Sequence, residues 1–154
     1  MTKNILSLFD GISVGQLALK ECGIKYDNYY ASEIDSNAIL VTKTNFPNTI
    51  QLGDVRNINV KDLPPIWLLM GGSPCQDFSI SGKRNGMKTK NGIEITSYQQ
   101  YLELKKTNHD FIGSSFLFWE FIRLYKELKP KYVFLENVKM SKQWENIISK
   151  ELTI

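Results

Sequence analysis

Short blocks of aliphatic and aromatic residues recur along this chain, each followed by small or acidic residues and then by a stretch with apolar positions at helical spacing. Residues 5–9, Ile-Leu-Ser-Leu-Phe, predict a first strand, and residues 14–22 a first helix that Gly23 ends. Residues 29–32 predict a second strand. The helix after it is capped at Asp35 or Ser36 and runs through Ile39, Leu40 and Val41 to Asn45-Phe46-Pro47. A third strand at residues 49–52, a fourth at 67–70, a helix from about 115 to 128 and a fifth strand at 132–135 continue the alternation. Strands and helices alternating in this way imply an α/β fold with a mainly parallel sheet. Near the C-terminus Trp144, Ile147 and Ile148 recur at helical spacing, either as a terminal helix on that sheet or as a face for polypeptide outside this sequence.

Composition narrows the class. The 154 residues suit a single domain spanning the chain, and 42% hydrophobic with 23% charged residues excludes disordered and fibrous classes. No apolar run approaches the length a bilayer requires, and Met1-Thr2-Lys3-Asn4 leads directly into the first strand, so the expected location is the cytoplasm. Two cysteines in unrelated contexts and a single histidine, His109, make neither a disulfide framework nor a zinc site, and no metal is expected. Cys22 reads as a packing residue and His109 as a surface one. A net charge of +3 permits a polyanionic partner without requiring one.

The candidate chemistry lies immediately after the strands, where ligands bind on open α/β sheets. Strand one is followed by Asp10-Gly11-Ile12-Ser13-Val14-Gly15, strand two by Glu33-Ile34-Asp35 and strand three by Gly53-Asp54. Strand four leads into Gly71-Gly72-Ser73-Pro74-Cys75-Gln76-Asp77-Phe78-Ser79, and strand five into Glu136-Asn137-Val138. The glycines and proline of the fourth loop impose backbone shape without bulk, as a nucleophilic thiol beside a close-approaching substrate requires. The first loop places small residues at a helix N-terminus, where backbone N–H groups meet anionic or carboxylate-bearing ligands. Its Gly-x-x-x-Gly spacing departs from the Gly-x-Gly-x-x-Gly dinucleotide pattern, so a nicotinamide or flavin oxidoreductase loses its main support. Glu33 stands where an acid can accept hydrogen bonds from ribose hydroxyls, and Asp54 where one can accept from an adenine amino group.

With these residues assembled, the chain resembles the N-terminal catalytic half of a DNA (cytosine-5)-methyltransferase. Leu8-Phe9-Asp10-Gly11-Ile12 is similar to that family's first S-adenosylmethionine motif, Pro74-Cys75-Gln76 to its catalytic loop and Glu136-Asn137-Val138 to its second catalytic motif. The forms Phe-Asp-Gly-Ile and Gly-Gly-Ser-Pro-Cys look most like phage enzymes and the vertebrate de novo branch. The resemblance implies a Rossmann-like fold, S-adenosylmethionine as cofactor and double-stranded DNA as partner. The residues it implies for the cofactor are Phe9, Asp10, Gly11, Ile12, Ser13, Glu33, Ile34, Asp54, Val55, Pro74 and Leu117. It makes Cys75 the nucleophile toward C6 of a flipped cytosine, with Glu136 at the ring N3 and exocyclic amine. Residues 83–106 carry six basic and two acidic side chains, a net +4, and read as a polar loop. There Lys83 and Arg84, nearest the cysteine, are the candidate phosphate contacts.

The chain departs from the family pattern in two places. Gly113 precedes Ser114-Ser115 where the family commonly has an arginine. Nothing corresponds to the family's Gln-x-Arg-x-Arg motif, its last strands, its recognition region or its final cofactor motif. The expectations are therefore a domain incomplete after strand five, an exposed sheet edge there, and either a split enzyme whose second polypeptide supplies the rest or a truncated gene product. The competing reading is a non-catalytic remnant that binds cofactor or DNA.

Overall fold

The computed structural model describes residues 2–74 and 87–153. Five parallel strands form one sheet in the order β3-β2-β1-β4-β5, with β1 spanning Asn4–Leu8, β2 Asn28–Ser32, β3 Ile50–Gln51, β4 Leu68–Gly72 and β5 Tyr132–Glu136. Every residue of the central β1 is buried. Two of them are polar, and Asn4 meets its hydrogen-bonding need by donating to Pro65 O (2.9 Å) and accepting from the Asn28 side chain (2.9 Å). The helices are α1 (Val14–Glu21), α2 (Ser36–Asn45), α3 (Tyr98–Lys106), α4 (Phe118–Leu128) and α5 (Lys142–Leu152). No described helix is long and apolar enough to cross a membrane.

The chain forms two compact units. The first comprises Met1–Gly72 with Leu124–Glu136 and contains the sheet; the second comprises Ser73–Arg123 with Asn137–Ile154. In the first, Ile5, Leu19, Tyr29, Ala31 and Met70 form a buried cluster joined by Tyr26, Trp67 and Leu68. Parallel strands buried on both faces need this apolar density. β5 differs: it lies at the outer edge of the sheet, and Tyr132, Val133 and Phe134 are 49%, 38% and 63% exposed.

Local signals explain the helix ends. Asp35 caps α2 by accepting from Ala38 N–H (2.8 Å). Gly23, with φ of 66°, closes α1 as its N–H donates to Lys20 O, while Ile24 N–H donates to Leu19 O. That turn corrects the expectation for Cys22. The residue is the helix C-cap and its free thiol is exposed, because the closing turn places it on the solvent side.

The second unit holds the other correction. Residues 98–106, read as part of a polar loop, form α3, which Ser97 caps by accepting from Gln100 N–H (3.2 Å). Its inward face is Tyr101 and Leu104, two residues among many polar ones, so no broad apolar stripe announced it. Tyr101 stacks on Trp119 at 6.3 Å between ring centroids and tilts against Phe111 at 5.3 Å. The helix expected from residue 115 starts with a 3-10 turn, Ser115–Leu117, before α4. In α5, Trp144 and Ile148 are buried and Ile147 half-buried. Gln143 from this helix donates to Glu94 Oε2 (3.4 Å), and Glu151 accepts from Tyr98 N–H (3.0 Å).

Among the described residues of this unit, the Glu120 carboxylate is fully buried. Glu120 accepts from Tyr101 OH (2.6 Å), Lys105 Nζ (2.5 Å) and Arg123 Nε (2.6 Å). Burial pushes its carboxyl pKa up, but these donors together outweigh burial and hold it below the ordinary 4.5. A depressed pKa means that the stabilisation is complete above the unfolded value and lost as pH falls through the folded one. Glu120→Gln should therefore lower stability at neutral pH by about 2 kcal/mol, since hydrogen bonds to a charged acceptor contribute about 1.5–3 kcal/mol and the amide replaces one acceptor oxygen by a donor. Melting curves should show parent and variant converging below pH 4.5; a gap that stays constant with pH would contradict the assignment.

Candidate functional site

The carboxyl ends of β1 and β2 are joined through Glu33. Its Oε2 accepts from Gly11 N–H (2.8 Å), and its Oε1 accepts from the N–H groups of Ile34 (2.7 Å) and Asp35 (2.9 Å). A carboxylate offers about four acceptor positions, so this arrangement leaves one, on Oε2, for a ligand hydroxyl. The next loop is attached by Ser32, whose hydroxyl donates to Gly53 O (2.7 Å). Phe9, Gly11 and Ser13 all have positive φ, 56°, 57° and 61°, so the chain leaves β1 in a tight left-handed path. No side chain caps α1, which leaves its first turn open to a ligand's acceptor groups.

Beside this loop lies a cavity of about 430 Å³, lined by Phe9, Asp10, Val14, Gly72, Phe134 and Glu136 among others. Ile12 and Ile34 are 51% and 73% exposed, placing apolar surface near Glu33 as a flat heterocycle requires. The Val55 side chain is buried, so only its main chain is available to a ligand. Asp54 accepts from Arg56 at its backbone N–H (2.9 Å), at Nε (3.0 Å to each oxygen) and at Nη2 (2.5 Å). The guanidinium hydrogen bonds hold the Asp54 carboxyl below the usual range, burial opposes them weakly, and an adenine amino group would have to share this acceptor with Arg56. The side chains and main-chain groups of the first unit thus fit an adenosine-bearing ligand: one open acceptor at Glu33, exposed apolar flanks and an adjoining cavity.

The fourth and fifth strands bring the two motif loops together. Gly72 is paired with Glu136 in the β4–β5 ladder, and a Cβ built on Gly72 would stand 2.6 Å from Glu136 Oε2. The carboxylate therefore occupies space that only glycine leaves open. One residue further along each motif, Asn137 Nδ2 donates to Ser73 Oγ (3.2 Å), while Asn137 Oδ1 accepts from Val138 N–H (2.8 Å). Sequence reasoning assigned no role to Ser73, Asn137 or Arg56. Polar residues immediately beside Cys75, Glu136 and Asp54 were the signal available.

Cys75, Lys83 and Arg84 lie outside the described residues. Pro74 and Leu117 belong to the second unit, where both are half-buried and Leu117 ends the 3-10 turn. His109 accepts from or donates to Thr107 Oγ1 through Nδ1 (2.9 Å). Among the described residues no group of three or more His, Cys, Asp or Glu side chains is placed to hold a metal ion.

Comparison with known proteins gives concordant matches. The profile of the C-5 cytosine-specific DNA methylase family matches residues 3–151. The chain is 33% identical over 135 residues to the type II methyltransferase M.Bsp6I of Bacillus sp. (strain RFL6), covering 88% of this chain and 36% of that protein. It is 35% identical over 137 residues to the orphan methyltransferase M.Rho11sI of Bacillus phage rho11s, covering 88% and 23%. With the type II methyltransferase M.HhaI of Haemophilus parahaemolyticus the figures are 34% over 134 residues, covering 87% and 33%. The chain thus spans between about a quarter and a third of the length of these relatives. A Spodoptera frugiperda DNMT2 mutant structure superposes with a TM-score of 0.60 at 25% identity, over 98% of this chain and 40% of that one. The S. pombe Dnmt2 methyltransferase gives 0.66 at 22% identity, over 97% and 41%.

Two outcomes follow from this geometry. Gly72→Ala should fold normally, because the atom its methyl meets is the end of a flexible side chain, yet it should shift the Glu136 carboxyl resonance. An unmoved resonance would place that carboxylate elsewhere. Arg56→Gln should raise the Asp54 pKa toward the ordinary 3.8, read from its carboxyl titration by NMR; a value unchanged by the substitution would remove Arg56 as the cause.

Proposed function

The chain belongs to the C-5 cytosine-specific DNA methylase family, and we propose that it forms the cofactor-binding and catalytic part of an enzyme that methylates C5 of cytosine in double-stranded DNA. The observation carrying this reading is the meeting of the two motifs across β4 and β5: Gly72 opposite Glu136, and Ser73 hydrogen-bonded to Asn137. Cys75 follows Ser73 by two residues in the sequence.

In this reading Phe9, Gly11, Ile12, Ser13, Glu33, Ile34, Asp54 and Val55 form the first unit's S-adenosylmethionine site, and the family resemblance also assigns Pro74 and Leu117 to the cofactor. When bound, S-adenosylmethionine supplies an electrophilic methyl group. The Cys75 thiolate adds to C6 of an extruded cytosine, forming a carbon–sulfur bond and moving the C5–C6 electron pair onto C5. Glu136 holds a proton at N3 and accepts from the exocyclic amine, drawing charge into the ring and orienting C5. After methylation, loss of the C5 proton returns its electron pair to the C5–C6 bond and expels the Cys75 thiolate. Lys83 and Arg84 contact DNA phosphates. Base capture and sequence reading fall to polypeptide beyond these residues, continuous with them or separate.

DNA containing 5-fluorocytosine discriminates this reading from a binding-only role, because fluorine at C5 cannot leave as a proton does. With S-adenosylmethionine and the C-terminal part of a relative such as M.Bsp6I, the parent chain should form a covalent DNA adduct. Cys75→Ser should form none, and Glu136→Gln should form it about 10²–10⁴ times more slowly, the range a general acid contributes. An adduct persisting in Cys75→Ser would remove the nucleophile from its assigned atom, and no adduct with the parent would favour the remnant.

A further inference from the structure

We propose that Asp10 acts on the cofactor from beneath the loop: locked to Tyr29 and Ser13, it is a positioning residue that holds the turn after β1 in its binding shape. This rests on the cofactor reading above and changes the role of Asp10 within it. Asp10 Oδ1 accepts from the Tyr29 hydroxyl (2.7 Å) on β2, and Oδ2 accepts from the Ser13 hydroxyl at the N-cap of α1. Tyr29 is 2% exposed and Ser13 fully buried, so both donor hydroxyls are enclosed, while Asp10 itself is half-buried at the cavity wall.

The same hydroxyl of Ser13 accepts from Thr42 Oγ1 (3.2 Å) on α2 and from Gln16 Nε2 (3.2 Å) on α1. Gln16 also donates to Thr49 Oγ1 (2.7 Å) and accepts from Tyr26 OH (2.8 Å). Around Asp10 the donors point one way: Thr42 and Gln16 toward Ser13, then Ser13 and Tyr29 toward the carboxylate. A carboxylate is acceptor-only, so it fixes the proton direction of the hydroxyls aimed at it. Burial, reinforced by the neighbouring Asp10, raises the Tyr29 pKa far above its ordinary 10.0 and keeps that hydroxyl a donor.

What the network holds is an otherwise disfavoured backbone. Phe9 and Ser13 carry side chains at positive φ, a conformation that persists only when the surroundings impose it. Asp10 lies between them, with its own N–H donating to Ser32 O (3.1 Å) and its C=O accepting from Ser13 N–H (3.1 Å). Releasing the carboxylate frees the loop to leave the shape in which Gly11 N–H reaches Glu33 and the exposed side chain of Ile12 flanks the ligand. A cofactor must then reorder it, and affinity falls.

Calorimetry of S-adenosylhomocysteine binding to the 154-residue chain tests this. Tyr29→Phe, which removes only the hydroxyl of a side chain that is 2% exposed, should weaken binding about five- to tenfold, as should Asp10→Asn. The double variant should bind within about twofold of the weaker single one, because both break one unit. Ile66→Val, at a buried position outside the cluster that holds Tyr29, should lower Tm and leave affinity alone. Unchanged affinity in Tyr29→Phe, or full additivity with Asp10→Asn, would overturn the proposal and return Asp10 to direct contact. Should Asp10→Asn fail to fold, Tyr29→Phe alone decides; should Tyr29→Phe fail, amide exchange at Gly11 and Ser13 in Asp10→Asn decides, at least about tenfold faster exchange supporting the proposal and equal rates overturning it. Should the parent bind no S-adenosylhomocysteine, the cofactor reading fails, and amide exchange judges the network: Gly11 and Ser13 should exchange at least about tenfold faster in Tyr29→Phe, and equal rates would overturn it.

Discussion

The left-handed exit of the chain from β1 is the constraint on which the rest of the rim depends. Phe9, Gly11 and Ser13 turn the backbone sharply enough that α1 begins directly behind the strand and Gly11 N–H faces Glu33. From above, Glu33 gathers three backbone donors from two loops; from below, Asp10 gathers two hydroxyls from a strand and a helix cap. Local energy opposes the conformation, and tertiary hydrogen bonds impose it. A rim held this way is shaped before any ligand arrives, so less ordering is charged against binding.

A second constraint acts across the sheet. Gly72 and Glu136 are far apart in sequence, and the parallel β4–β5 register places them opposite each other. The carboxylate then fits only because residue 72 has no side chain. Chemistry proposed for Cys75 and Glu136 thus depends on strand pairing in one part of the chain and on the Ser73–Asn137 hydrogen bond in the other. Family membership fits this economy: the matched region contains both motifs, while this chain covers 36% and 23% of two of the relatives.

Much of this was legible from the residues. The five strands and the helices after β1 and β2 follow from apolar blocks, caps and glycine stops, all local signals. The rim was legible because acids and glycines stand at strand ends, where the topology of a parallel sheet gathers them. Other features were hidden because the deciding partner is remote or because two states look alike in sequence. Asp10 reads as a ligand residue with no hint of its bond from Tyr29, and Asp54 reads as a free acceptor until Arg56 folds back on it. α3 carries too few apolar positions to separate from a loop, and Cys22 falls on the solvent side of a closing turn whose geometry composition does not reveal.

The central claim is that the ends of β1, β2 and β3 form one cofactor-binding rim in the first unit, adjoining Glu136 at the end of β5. Backbone NMR of the chain titrated with S-adenosylhomocysteine tests it most directly. The predicted footprint is a contiguous set of shifts at Phe9, Gly11, Ile12, Glu33, Ile34, Asp54 and Glu136, with the amino-terminal ends of the strands, Asn4 and Asn28, unmoved. Shifts centred on those amino-terminal ends, or none at saturating ligand, would contradict the account.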